Sequence, residues 1–387
     1  AIHLANDFLY GVGQNLLPGI KVEALSANPS VLTCLANDVG YEEIYSVTEL
    51  LRNQQLFRHR EFSETGLMEK EAAEFIGTKY ALMVNSGTSA LICALIGVGI
   101  GPRDEVIVPG YTFIATGSAV VAVGAVPVIA EVDESLGLSP RDVEKKITPY
   151  TKAIIPVHIY GNPCDFESVK AFTENQNIPI VEDACQAHGA TYKDKKVGSL
   201  GDVGCFSFYP TKNMTVAGDG GMTTTDNEEI AMKIKSIRDN GRKTKTEFDK
   251  LGFTMRLNTV NAAIGRVQLS HLDEKNTRRR EIVSIYRKNL VNDCILPENE
   301  NGKSVYHQIV VKHEKRDQIR QELADNDIGS AIYYEKPIHL QPIYQEYGYE
   351  LPNSEKFSKE IMSLPSYPSL TDEQILVICE HVNNIIS

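Results

Sequence analysis

Between residues 80 and 225, short β-branched and apolar runs alternate with stretches whose apolar positions recur at helical spacing. The runs predict strands at Tyr80–Val84, Glu105–Val108, Val126–Val132, Lys152–His158, Pro179–Asp183, Val203–Phe208 and Gly221–Thr225. Helices are predicted between them at Thr88–Ile96, Ser139–Ile147 and Asp165–Gln176, each entered through a Ser, Thr or Asp suited to capping. The strands are continuous apolar runs rather than strict alternations, as in a sheet covered by helices on both faces. This is the α/β rhythm, and ligands of such sheets bind beyond the carboxyl ends of the strands.

After Gly252 the pattern turns helical from Asn258 to about Leu290, with apolar Ala262, Ile264, Val267, Leu269 and Leu272 and a basic run at Arg278–Arg280. It predicts one long helix leading into a smaller α+β domain. That domain is expected to hold a strand at Ser304–Lys312, helices near Arg316–Ala324, Glu355–Met362 and Thr371–Ile386, and a proline-containing loop from Lys336 to Pro342. Residues 1–55 read as an N-terminal extension, 56–265 as the large domain and 266–387 as the small one. The first 60 residues offer two or three amphipathic segments, none decisive.

Charge changes the picture by exclusion. Lys and Arg total 39 against 51 Asp and Glu, a formal charge of −12, with no basic tail. A nucleic-acid binder is not expected from such a balance. Cysteines at 34, 93, 164, 185, 205, 294 and 379 form no CxxC pair and no zinc spacing, so reduced thiols and a cytoplasmic setting are expected. No leader opens the sequence and no apolar run reaches the roughly 18 residues of a membrane span, so no membrane partner is expected.

Three units carry candidate chemistry. In Val181-Glu182-Asp183-Ala184-Cys185-Gln186-Ala187-His188-Gly189 a strand ends in charged residues, so Asp183 is placed to face a ligand; an acidic turn is the plainer alternative. Ser207-Phe208-Tyr209-Pro210-Thr211-Lys212-Asn213-Met214, followed by Gly218-Asp219-Gly220-Gly221, sets a lysine just past a strand end. An amine there can condense with a carbonyl if burial lowers its pKa; otherwise Lys212 is a solvent-facing loop lysine. Asn85-Ser86-Gly87-Thr88-Ser89-Ala90 opens a helix after a strand, where backbone N–H groups and hydroxyls suit a phosphate, although an ordinary capped turn reads the same. GxGxxG and a Walker lysine are both missing, which weakens the nucleotide-fold alternatives. Together the units ask for a ligand with a phosphate, a group that condenses with lysine, and a cationic centre for Asp183. Pyridoxal 5′-phosphate meets all three demands.

On these residues the chain resembles the DegT/DnrJ/EryC1/StrS family of pyridoxal-phosphate sugar aminotransferases. The resemblance runs from about Leu56 through Asn85–Leu91, Pro109–Thr116, His158–Gly161, Glu182–Ala190, Ser207–Gly221, Gly252–Gly265, Pro337–Pro342 and Ser363–Thr371. It implies the aspartate-aminotransferase fold (fold type I), whose large domain has a mixed, mostly parallel seven-stranded sheet between helices. It further implies Lys212 as the Schiff-base lysine, Asp183 at the pyridine nitrogen, Gln186 near the phenolic oxygen and Phe113 stacked on the ring. Ser86, Gly87, Thr88 and Ser207 would hold the phosphate, and Tyr334 and His339 would contact sugar. Relatives that dehydrate deoxysugars carry His at the position of Lys212, so aminotransfer is the implied reaction.

The implied reaction takes an amino group from L-glutamate, leaves pyridoxamine phosphate, and passes the group to a keto-sugar, expected to be nucleotide-linked, with Lys212 moving the proton as base and acid. Two alternatives remain: a cyclitol or other cyclic ketone as acceptor, and a cofactor-binding regulator without turnover. Positive charge for a diphosphate is available at Arg58-His59-Arg60, Arg242-Lys243-Thr244-Lys245 and Lys336, or these are solvated basic turns. His158 and His188 read equally as structural histidines. Relatives work as homodimers, so a homodimer is expected. Where many of them read Gly-Tyr-Asn-Tyr-Arg, this chain has Gly252-Phe253-Thr254-Met255-Arg256. The phosphate contact expected across the dimer then falls to Thr254 or Asn258.

Overall fold

A computed structural model describes residues 39–56, 62–291 and 294–387. Arg58-His59-Arg60 and most of the N-terminal extension lie outside the described residues. The central strands are β1 (Tyr80–Val84), β2 (Glu105–Pro109), β3 (Val126–Ala130), β4 (Thr151–Ile154), β5 (Val181–Asp183), β6 (Val203–Ser207) and β7 (Gly221–Thr225). Four of them run in the order β1-β7-β6-β5 and three in the order β3-β2-β4. Parallel bridges Ile154–Ile180 and Val157–Asp183 join β4 to β5, so the seven expected strands form one sheet. The sheet is the mixed, mostly parallel one that the resemblance implies.

Direction within this sheet sets up the site. β5 is parallel to β6, and β2 is parallel to both β3 and β4. β7 is antiparallel to both β1 and β6. Six strands therefore point one way, and their carboxyl ends meet the start of β7 along one edge. β4 stops short of the expected His158 because Pro156 has no N–H for a ladder; its carbonyl still accepts from the Asp183 N–H at 2.9 Å.

The helices over the sheet are α1 (Tyr41–Arg52), α2 (Glu64–Ile76), α3 (Gly87–Gly97), α4 (Ile114–Ala122), α5 (Pro140–Lys146), α6 (Phe166–Thr173) and α7 (Glu228–Ile237). They are followed by α8 (Thr259–Ser270), α9 (Leu272–Asn289), α10 (Arg316–Asp325), α11 (Pro352–Glu360) and α12 (Asp372–Ile386). Helix α3 is apolar on most of its circumference, and Leu91, Cys93, Ala94 and Leu95 are buried against the sheet. Among the described residues no helix is long and apolar enough to cross a membrane. Among the described residues no disulfide joins two cysteines.

Three sequence expectations are corrected in the C-terminal third. The single helix expected over Asn258–Leu290 is two, broken at His271, which ends α8 and precedes α9 with φ −102° and ψ 0°. Leu269 and Leu272 keep helical spacing across the break, so periodicity alone does not reveal it. The strand expected over Ser304–Lys312 is confined to β8 (Ile309–Lys312), because Tyr306 takes a left-handed φ of 44°. The helix expected over Glu355–Met362 ends at Glu360, and Ile361–Leu364 is instead β9, antiparallel to β8. Around β8 and β9 packs a separate apolar cluster that includes Ile282, Tyr286, Leu323, Ile375 and Val382.

Side-chain alternation in β5 sends adjacent carboxylates to opposite faces. Glu182, fully buried, accepts from the backbone N–H of Leu200 and Gly201 at Oε1 (2.8 and 2.7 Å) and of Gly198 at Oε2 (2.8 Å). His158 Nδ1 accepts from the Cys164 N–H at 3.2 Å, so its Nε2–H donates to Glu182 Oε2 at 3.0 Å. His158 is thereby a satisfied structural histidine. Both Glu182 oxygens face only donors, so in Glu182→Gln either amide orientation sets an NH₂ against two of them. That substitution should lower unfolding free energy by about 3 kcal/mol, read as a drop in the denaturation midpoint; an unchanged midpoint would refute this assignment.

Candidate active site

The shared strand edge gathers most of the residues singled out from the sequence. Ser86 caps α3, its Oγ accepting from the Ser89 N–H at 3.1 Å. Gly87 begins the helix because nothing larger fits: a Cβ there would lie 2.8 Å from the Ser207 Cβ and 2.9 Å from the Cys185 Sγ. Across the cradle, a Cβ on Gly221 would lie 2.5 Å from the Ser86 carbonyl oxygen. Ser86, Gly87, Ser207 and the start of β7 thus lie in close contact, with Thr88 half-buried in the first turn of α3. The N-terminus of α3 carries the positive end of its dipole into this space.

Asp183, at the carboxyl end of β5, is 6% exposed, and its Oδ2 accepts from Thr116 Oγ1 at 2.8 Å while its Oδ1 accepts from the Cys185 N–H at 3.2 Å. Lys212 follows β6 in a turn closed by its own N–H donating to the Tyr209 carbonyl at 2.8 Å. Burial pushes the Lys212 ammonium pKa below the lysine value of 10.5, against the pull of nearby Cys185 and Asp183. The next residue anchors the loop: Asn213 Nδ2 donates to Asn276 Oδ1 and to the Val305 carbonyl, both at 2.9 Å. Asn276 in turn donates to the His188 carbonyl at 2.8 Å.

His188 packs against Phe206 and Phe208, with ring centroids 5.4 and 5.7 Å away. Burial, and then the charge of Lys212, push its pKa down to about 3, so it stays neutral. His307 is pushed well down by burial, then by Lys212 and Arg279. Neutral imidazoles behind Lys212 add no positive charge to the pocket. The Cys185 thiol is raised by burial and by the charge of Asp183, so it remains protonated and is not a nucleophile.

Gln186 Oε1 accepts from the Tyr160 N–H at 2.8 Å, which fixes the amide so that Nε2 donates to the Tyr334 hydroxyl at 2.8 Å. One donor hydrogen of Nε2 is left for a ligand oxygen. Tyr334 stacks on Tyr160 at 5.8 Å and meets Tyr111 edge-on at 5.4 Å. Tyr160 adopts a left-handed φ of 56°, a strained setting for a bulky residue, held here by the Gln186 contact and by Tyr111 Oη at 3.2 Å. Phe113, the residue before α4, exposes 56% of its surface, an open aromatic face at this edge.

Two of the expected residues lie differently. The His339 imidazole has no exposed surface and its Nε2 pairs with Glu355 at 3.2 Å. Thr254 is exposed and donates to Asn240 Oδ1 at 3.0 Å, in a segment held beside the cradle by the Asn85 N–H donating to the Met255 carbonyl at 3.1 Å. The basic run is partly spent locally, Arg242 on Asp239 and over Phe248, and Lys243 on Glu247. Lys336 is exposed. Thr116, Tyr160, Cys185 and His307 were not singled out as site residues, because each looks like ordinary core until the strand ends are brought together.

The chain is similar to known sugar aminotransferases. The chain is 41% identical over 312 residues to the UDP-N-acetyl-3-dehydro-alpha-D-glucosamine 3-aminotransferase of Acidithiobacillus ferrooxidans, covering 80% of this chain and 85% of that one. It is 38% identical over 355 residues to the dTDP-3-amino-3,4,6-trideoxy-alpha-D-glucose transaminase of Streptomyces venezuelae, covering 89% and 93%. The crystal structure of S. venezuelae DesV in complex with a ketimine intermediate superposes with a TM-score of 0.85 at 37% identity, over 89% of this chain and 94% of that one. The family model of the DegT/DnrJ/EryC1/StrS aminotransferases matches residues 37–383, and the chain belongs to that aminotransferase family.

Proposed function

We propose that this aminotransferase uses pyridoxal 5′-phosphate to move an amino group, from L-glutamate, to C3 of a nucleotide-linked keto-sugar, giving the amino-sugar. The observation that carries the proposal is a Lys212 amine whose pKa desolvation lowers, lying within the electrostatic reach of the buried Asp183 carboxylate. The residues fit the cofactor: the Gly87 cradle is a gap that a single Cβ would fill, and hydroxyls and helix N–H groups line it. The C3 assignment is supported by the names of the Acidithiobacillus and Streptomyces relatives, both of which place the nitrogen chemistry at position 3.

When bound, the cofactor supplies a carbonyl for amines and a cationic ring that accepts electron density. The chain does the rest. Ser86, Gly87, Thr88 and Ser207 would hold the phosphate through backbone N–H groups and hydroxyls at the dipole end of α3. Asp183 would hold the proton on the pyridine nitrogen, and Gln186 Nε2 would donate to the phenolic oxygen. Phe113, whose face is exposed, would cover the ring. Lys212 Nζ takes the proton from the α-carbon of the amino donor, which requires the neutral amine that burial favours. Tyr334, tied to Gln186, is the residue we assign to sugar contact. The working unit is taken as a homodimer, with Thr254 serving the partner's site.

Lys212→Ala should remove the visible absorbance that pyridoxal phosphate gains on binding and lower turnover by about 10⁴-fold; full turnover without added amine would refute the assignment. Gly87→Ala, titrated by fluorescence as apoprotein, should weaken pyridoxal phosphate binding by about 100-fold, and unchanged affinity would remove the cradle from the account. Offered nucleotide-linked 3-keto and 4-keto sugars and an inosose, the enzyme should aminate the 3-keto sugar. Amination of the inosose alone would favour a cyclitol acceptor, and failure of glutamate to bleach the cofactor's band would favour a regulator.

A further inference from the structure

The Pro109–Thr116 segment contributes more than Phe113. Thr116 is 1% exposed and Thr112 2% exposed, and their hydroxyl oxygens lie 3.0 Å apart. A threonine in a helix ordinarily spends its hydroxyl on a carbonyl of its own preceding turn. Thr116 instead reaches out of α4 to Asp183 Oδ2, 67 residues away in sequence. Asp183 as a carboxylate has no proton to give, so Thr116 donates to it and must accept from Thr112. The hydrogen bonds therefore run in one direction, Thr112 to Thr116 to Asp183.

We propose that Thr116, backed by Thr112, is a positioning residue that aims the Asp183 carboxylate at the pyridine nitrogen and preserves its capacity to hold the ring proton. The proposal rests on the cofactor reading above. With Oδ2 held by Thr116 and Oδ1 by the Cys185 N–H at 3.2 Å, the plane of the carboxylate is fixed from two sides. The Thr116 bond is the shorter one, and charge-assisted bonds to a carboxylate are the strong kind. At this depth water does not replace a lost donor, so its removal leaves Asp183 less well oriented and its charge less stabilised.

The test compares wild-type, Thr116→Val and Thr116→Ser holoenzymes loaded with pyridoxal phosphate labelled with ¹⁵N in the ring. Thr116→Val should still bind the cofactor on Lys212, but the ring-nitrogen chemical shift should move toward that of the unprotonated pyridine. The single-turnover rate with glutamate should fall roughly 10- to 100-fold. Thr116→Ser, which restores the hydroxyl, should recover both. A merely structural role would lower the denaturation midpoint while leaving the ring-nitrogen shift in place, and that result overturns the proposal. Should Thr116→Val fail to fold, Thr112→Val serves: Thr116 then loses only its own donor, and the shift should move in the same direction by less. A wild-type ring-nitrogen signal in Thr112→Val overturns the relay. Wild-type protein that binds no pyridoxal phosphate would overturn the cofactor reading and this proposal together, whereas normal binding with an unmoved signal in Thr116→Val overturns only the role of Thr116.

Discussion

Six strands pointing the same way, with β7 alone reversed between β1 and β6, are the constraint on which the site depends. That arrangement puts the ends of β1, β5 and β6 next to the beginning of β7. Asp183 ends β5, and the segments that leave β1 and β6 carry Gly87 and Lys212. No local preference in any of these segments would bring them together. What does so is the ladder of backbone hydrogen bonds, continued from β5 to β4 through the Asp183 N–H on Pro156 and the His158 N–H on the Asp183 carbonyl. A carboxylate on so firmly bonded a backbone has little freedom, which suits a group that must meet a ring nitrogen in one geometry.

The same strand separates stability from chemistry. Glu182 and Asp183 are adjacent, buried and acidic, yet one is closed by three backbone N–H groups and a histidine, and the other is bonded by Thr116 and the Cys185 N–H. Burying a carboxylate costs free energy unless donors surround it. Glu182 has its full complement from the chain. Asp183 accepts from Thr116 on one oxygen and from the Cys185 N–H on the other, and its charge acts on Lys212. Tyr334, from the C-terminal third of the sequence, reaches the same site by accepting from Gln186 Nε2 at its hydroxyl.

Much of this was legible in the sequence. All seven strands were readable because continuous β-branched runs in a covered sheet admit little else; Asp183 at a strand end and Lys212 just past one stood out by their chemistry, whereas Gln186 and Ser207 were marked only by the family resemblance. Helix breaks were not legible: Leu269 and Leu272 continue the apolar stripe across His271, and only backbone geometry ends α8 there. The β9 segment Ile361–Leu364 reads as the tail of a helix until β8 offers it a partner. Thr116 was hidden for a related reason. A threonine inside a helix gives no signal of its own, and its meaning comes from a carboxylate 67 residues away. The burial of His339 likewise depends on Glu355, a partner from a different helix.

The central claim is that Lys212 and Asp183 serve transfer of an amino group to a sugar. The most direct measurement supplies the enzyme with pyridoxal phosphate, ¹⁵N-labelled glutamate and a nucleotide-linked 3-keto sugar, and follows the label by NMR. The account predicts ¹⁵N bonded to C3 of the product sugar, with 2-oxoglutarate formed in equal amount. A sugar that returns without label while glutamate remains unconsumed would contradict it.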